Sequence, residues 1–168
     1  PPAFARRLAD ELDQRGLTVR WDSFAMADRR FDADLLRTMA ASGCQFLTIG
    51  LESMVGRALG LVHKSADDIE NRRFLRAARD AGISLRINLI PDLPSTTYAE
   101  ALAGLDDIRE LQDCFDVVAI WPFEGTRSSN VGRHPEQFGL RVVEPELDQS
   151  VSTAQYAMNR LRYVDDAM

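Results

Sequence analysis

A carboxylate and a hydroxyl, Glu52 and Ser53, close the apolar run that starts at Gly43, and this pair is the feature of the sequence best placed to hold a polar ligand. An ionised carboxylate only accepts hydrogen bonds, so it suits ammonium groups and sugar hydroxyls. Two further polar pairs stand in similar settings: Arg20 with Asp22, and Arg86 with Asn88, the latter followed by Ile90 and Asp92. Arg86 faces an anionic group of a ligand or pairs with Glu52 or Asp22. Glu52 and Ser53 read alternatively as a surface pair just past a strand.

Other chemistry-bearing residues point to less. His63 and His134 are far apart and lack a neighbouring carboxylate pattern for a metal site. Ser128 and Ser129 have no nucleophile-elbow context. Cys44 and Cys114 lack the close spacing of a metal knuckle or redox pair and read as reduced, buried thiols. Trp121 and Phe123, at a strand end, line a substrate pocket or belong to plain core.

The elements that position these residues alternate between helix and strand. The spacing predicts a helix over 4–15 with a stripe of Phe4, Leu8 and Leu12, then a strand over 18–24. Asp32 caps a second helix whose buried stripe is Leu35, Leu36 and Met39, with Gly43 at its end. In the next strand Leu47, Ile49 and Leu51 share one face, and Phe46, Thr48, Gly50 and Glu52 the other. A glycine-rich loop through Gly56 and Gly60 leads to His63 and Lys64. Ser65 with Asp68 resembles a capping box opening a helix with Ile69, Phe74, Leu75 and Ala78 as core. A strand over 83–91 follows, then a proline-bearing loop over 91–97 and a helix to Leu111 carrying Ala101, Leu102, Leu105 and Ile108. A fourth strand spans 115–121, the stretch 127–145 lacks a sustained period, and 148–164 returns to helical spacing through Val151, Tyr156, Met158, Leu161 and Tyr163.

Strands alternating with helices over short connections give right-handed crossovers and a parallel sheet. The fold class is therefore α/β: a partial TIM-like (β/α) barrel over 1–143, about four parallel strands with helices on the convex face, followed by a C-terminal helical extension over 144–168. The concave stripe carries Arg20, Asp22, Thr48, Glu52, Arg86 and Asn88, where an ordinary barrel holds branched aliphatics. Charges there must pair with each other or meet a polar ligand. With 168 residues, 45% hydrophobic, 27% charged and net charge −6, the sequence reads as one soluble, cytoplasmic unit without nucleic-acid or membrane partners. It opens on Pro1-Pro2, so it reads as a piece of a longer protein.

In order along the chain, Asp32-Ala33-Asp34-Leu35-Leu36, Met39, Ser42-Gly43-Cys44, Ile49-Gly50-Leu51-Glu52-Ser53, Lys64, Ala81-Gly82-Ile83, Leu93-Pro94, Thr97 and Gly125-Thr126 resemble the middle and later part of a radical S-adenosylmethionine (SAM) barrel. The similarity is greatest to the branch that often carries an upstream cobalamin-binding domain. The resemblance implies that Glu52 and Ser53 lie beside SAM and that the backbone from Ile90 to Leu93 holds adenine. It also implies that Arg86 faces the methionyl carboxylate or an anionic substrate. The loop departs from the family's usual glycines and glutamate at Asp92, Ser95 and Thr96, and the usual proline-glycine turn after the last strand reads Phe123-Glu124-Gly125-Thr126.

The family's Cys-x-x-x-Cys-x-x-Cys loop, which holds a 4Fe-4S cluster, has no match here. The resemblance then places that loop and the first two strands before Pro1. The implied cofactors are SAM, a 4Fe-4S cluster with upstream ligands, and cobalamin in the branch named. The implied partners are a small-molecule substrate, the missing N-terminal part of the same protein, and a second copy through open sheet edges. The alternative is a non-catalytic binding or scaffold module that kept a degenerate form of the fold.

Overall fold

Four strands, β1 (Trp21–Ala25), β2 (Cys44–Glu52), β3 (Ser84–Leu89) and β4 (Val117–Ile120), form one sheet in sequence order, every neighbouring pair parallel. The computed structural model describes residues 1–62, 67–143 and 161–167. Helices α1 (Pro2–Gln14), α2 (Ala33–Ala41), α3 (Gly56–Leu61), α4 (Asp68–Asp80) and α5 (Tyr98–Glu110) precede or connect the strands. Sequential order with helical crossovers is the winding of a (β/α) barrel, and four such units make part of one.

Local chemistry starts these helices where the sequence demands. Asp32 accepts the Leu35 amide at 2.7 Å, and Thr97 forms a reciprocal capping box with Glu100. For α4 the cap is Asp67, which accepts the Glu70 amide; Ser65 and Lys64 lie outside the described residues. The glycine-rich stretch expected as loop folds as α3, whose Ala58 and Leu59 bury against Leu93.

One face of the sheet is buried by helices. Leu47, Ile49, Leu51, Leu85, Ile87 and Leu89 pack with Leu35, Leu36 and Met39 of α2, Phe74, Leu75 and Ala78 of α4, and Ile108 of α5. Each such side chain contributes about 1.5–3 kcal/mol by leaving water, so this contact is the main source of the fold's stability. One expected core assignment is corrected: Ile69 is 72% exposed. On α5, Leu102 and Leu105 are exposed and Ile108 is buried. In α1 the buried positions are Pro2, Ala5 and Ala9 while Phe4 is exposed, because α1 approaches its neighbour through small residues.

Beyond β4, α6 (Asn130–Arg133) and a 3-10 turn over Pro135–Phe138 lead to β5 (Leu140–Val142), which pairs antiparallel with β6 (Tyr163–Asp165). Tyr163 therefore lies in a strand, which corrects the helical reading at this position. Leu161, also assigned to that helix, is described and lies outside any helix, while Val151, Tyr156 and Met158 lie outside the described residues.

Candidate functional site

The carboxyl end of β2 is bent into an uncommon shape. Between Gly50 and Glu52 the pairing with β3 slips, so that Glu52 lies opposite Leu89. Glu52 has φ +67°, and the Ser53 amide donates to the Leu51 carbonyl at 2.9 Å across it. A three-residue turn closed this way about a left-handed residue is the rare, strained form of γ-turn. Glutamate is poorly suited to it, and such backbone costs of order 1–3 kcal/mol concentrate at ligand sites. The Glu52 carbonyl also accepts the Ile90 amide at 2.6 Å, tying the ends of β2 and β3 together.

Register places Asp22, Thr48, Arg86 and Asn88 on the face opposite the helices, together with Phe24, Phe46, Gly50 and Ala119. Two members of the expected stripe differ. Arg20 precedes β1, and Glu52 stands beyond the slip, where strict alternation no longer sets direction. Among the described residues the partner of Arg86 is the Phe46 ring, its guanidinium carbon 5.6 Å from the centroid. The reading of Arg86 as an ion-pair partner of Asp22 or Glu52 gives way to this stacking, which leaves the guanidinium exposed on the open face.

The remaining predicted residues have local tasks. Ser53 is buried, its hydroxyl accepting the Val55 amide at 3.0 Å and its carbonyl the side-chain amide of Asn71 at 3.4 Å. Asp92 accepts the Phe123 amide at 2.9 Å, linking the loops after β3 and β4. Ile90 packs against Ala58, Leu59 and Leu93. The sheet end thus brings together Glu52, Asn88 and Ile90 by backbone pairing, while Ser53 and Asp92 use side chains to shape the loops.

The loop after β3 turns at Leu93-Pro94-Ser95-Thr96, closed by the Thr96 amide donating to the Leu93 carbonyl at 2.9 Å with Ser95 at φ +64°. Proline second and a left-handed residue third define a type II turn, whose third position favours glycine. Arg57 of α3 holds this turn, donating to the Ser95 carbonyl at 2.6 Å and to both carboxylate oxygens of Glu100 at 2.9 and 2.7 Å. Arg57, and then the Thr97 amide, hold the Glu100 carboxyl down at about 2. Arg57 was not legible as a site residue; an arginine in a glycine-rich stretch carries no pattern.

Both thiols are remote from this chemistry. Burial pushes the Cys44 thiol up to about 11 and raises that of Cys114, so each stays protonated near neutrality. Among the described residues no group of three or more His, Cys, Asp or Glu side chains could hold a metal ion. The cavity beside Glu52, Ser53, Leu89 and Ile108 measures about 10 Å³, and a groove of about 540 Å³ runs instead along the outer faces of α2 and α4.

No protein-family model matches the chain, and no curated protein sequence matches it significantly. Solved structures do. The radical SAM methyltransferase TsrM from Kitasatospora setae, with cobalamin and a 4Fe-4S cluster bound, superimposes with TM-score 0.72 at 18% identity, covering 86% of this chain and 31% of that one. The chain shares the fold of part of that structure. Coproporphyrinogen III oxidase HemN from Escherichia coli, a radical SAM enzyme, gives TM-score 0.62 at 19% identity over 82% of this chain and 32% of its own. The cobalamin-dependent radical SAM enzyme OxsB gives 0.63 at 14% identity over 96% and 29%. The chain spans about a third of the length of these radical SAM structures. Its four-stranded sheet is the α/β, partly TIM-like arrangement read from the sequence. Among the described residues no helix is long and apolar enough to cross a membrane.

Proposed function

We propose that this chain is the later half of the catalytic barrel of a radical SAM enzyme, holding SAM and a small-molecule substrate while upstream sequence holds the 4Fe-4S cluster. The observation that carries the reading is the strained Glu52 turn at the carboxyl end of the central strand, in a sheet wound as radical SAM barrels are. In (β/α) barrels that end of the strands is where ligands bind.

The residues present fit SAM. A strained turn there would aim an acceptor-only group, and Gly50, on the face opposite the described helices, would let a ligand approach the backbone. Glu52 would bind the ammonium or ribose hydroxyls, the backbone from Ile90 to Leu93 the adenine, and Arg86 the methionyl carboxylate or an anionic substrate. Asn88, paired between Gly50 and Ala119, would bind on the same face. Ser53 and Asp92 would act by shaping the loops that meet the cofactor. Reductively cleaved SAM supplies a carbon-centred radical; the chain's own contribution is to bind, orient and exclude water. Cobalamin is part of the proposal because TsrM and OxsB carry or depend on it, and no residue is assigned to it.

The residues do not fit the cluster. The two cysteines are buried and protonated, and three thiolates are needed. Anaerobic reconstitution of this chain alone should give no stoichiometric iron, while the protein with its upstream sequence should bind a 4Fe-4S cluster through three cysteines in the stated spacing. Iron bound stoichiometrically by the 168 residues would overturn the division. An upstream sequence without those cysteines would favour the scaffold reading.

The edges of β1 and β4 each pair on one side only among the described residues, and Phe24 on β1 is 81% exposed. Exposed edges of this kind template pairing with another chain. The isolated chain should therefore self-associate, with light scattering giving a mass that rises with concentration; the cytoplasm is the compartment proposed for the full protein. A strictly monomeric species at high concentration would count against pairing through these edges.

A further inference from the structure

We propose that β6 is a positioning element of the same site: Asp165 and Tyr163 fix the loops after β3 and β4 in the shape that receives the nucleoside of SAM. The inference rests on the SAM reading above and adds residues that nothing in the barrel strands supplies.

The loop over 90–97 does not hold its own shape cheaply. Ser95 takes the left-handed position of a type II turn without being glycine. Beside it Thr96 is fully buried, and its hydroxyl has no hydrogen-bond partner among the described residues. Contacts from outside the loop hold it. The Ser95 amide donates to Asp165 at 2.8 Å, its hydroxyl donates to the Phe138 carbonyl at 2.7 Å, and its carbonyl accepts from Arg57 at 2.6 Å. Every polar group of Ser95 is thereby occupied, each by a different element. Glycine at this turn would adopt the backbone more easily but would lose the bond to Phe138.

The same strand and the residues before it reach the neighbouring loop. The Tyr163 hydroxyl donates to the Phe123 carbonyl at 2.7 Å, their rings meet edge-on at 5.8 Å, and the Leu161 amide donates to the Gly125 carbonyl at 2.7 Å. Phe123 in turn donates its amide to Asp92. β6 and the residues just before it thus fasten the two loops that follow β3 and β4, and pairing between β5 and β6 alone requires none of these bonds. Two loops fixed before a ligand arrives bind it with less ordering cost, which is how a remote carboxylate changes affinity.

The test compares Asp165→Ala, Asp165→Asn and Tyr163→Phe. Amide hydrogen exchange on this chain should show the Ser95 and Thr96 amides exchanging about tenfold faster in Asp165→Ala, with amides of β2 and α2 unchanged. Asp165→Asn keeps an acceptor for the Ser95 amide and should restore protection to within about twofold. Tyr163→Phe keeps the ring and should speed the Phe123 amide about threefold, which decides the matter if Asp165→Ala fails to fold. SAM titrated into the protein carrying its upstream sequence should bind about tenfold more weakly in Asp165→Ala and near wild-type strength in Asp165→Asn. Unchanged exchange in both Asp165→Ala and Tyr163→Phe overturns the brace. Faster exchange with unchanged SAM affinity overturns its link to the ligand. Faster exchange in a wild-type background that binds no SAM sinks the SAM reading instead and leaves the brace standing.

Discussion

Replacing Gly43 by alanine should leave this chain largely unfolded, whereas replacing Gly60 by alanine should leave it slightly more stable than wild type. Gly43 has φ +102° and opens β2, its carbonyl accepting the Trp21 amide at 3.0 Å to start pairing with β1. A methyl group there would lie 1.9 Å from the Val19 carbonyl oxygen and 3.1 Å from its carbon, both backbone atoms that cannot swing aside. Relief requires the entry to β1 to move, and β1 holds the register that puts Asp22 opposite Phe46. Left-handed strain and a backbone clash together reach about 4 kcal/mol or more, a large share of the roughly 5–15 kcal/mol that holds a typical domain. Gly60 lies within α3 with nothing within 4 Å of its added methyl, so alanine there should gain about 0.5–1 kcal/mol. Urea unfolding followed by circular dichroism checks both. A folded Gly43→Ala with a wild-type midpoint would show that the approach to Val19 is not structural.

Much of this scaffold was legible because its signals are local. The two-residue period of Leu47, Ile49 and Leu51 and of Leu85 and Ile87 fixes which faces the helices cover, and Asp32 announces its helix by its own side chain. At the candidate site the residues could be named from the sequence, but the shape of the turn that carries Glu52 could not. Alternation assigns Glu52 to the face of Thr48 and Gly50, and a register slip has no residue signature when glutamate instead of glycine takes the left-handed position. The same blindness applies at Ser95. Three-residue strands such as β5 and β6 are too short to show a period, and their pairing joins positions far apart in sequence. Phe4 drew the start of the α1 stripe off the buried positions, since close helix approach favours Ala5 and Ala9, small residues that leave little hydrophobic signal of their own, while Leu8 and Leu12 are half-buried. What escaped the sequence is mostly conformational or long-range: the turn at Glu52, the clamp by Arg57 and the bonds from β6.

In the protein that includes its upstream sequence, Glu52→Gln should weaken SAM binding by one to two powers of ten without lowering the melting temperature. A charge-assisted hydrogen bond to a cationic cofactor is worth roughly 1.5–3 kcal/mol, and the amide keeps the size and one acceptor of the carboxylate while removing its charge. Glu52→Gly sharpens the contrast. Glycine accepts φ +67° freely, so the variant loses the carboxylate and relieves a backbone cost of about 1 kcal/mol or more. If the carboxylate serves the ligand, Glu52→Gly should melt no lower than wild type and bind SAM at least as weakly as Glu52→Gln. If instead it serves the fold, both variants should melt lower and bind SAM with nearly native affinity. Calorimetric titration of SAM beside melting curves of the three proteins separates these cases. Native affinity with lowered melting would remove Glu52 from the ligand site and make its strained turn a structural feature; lost affinity with retained melting is what a residue held in a costly conformation for a ligand requires.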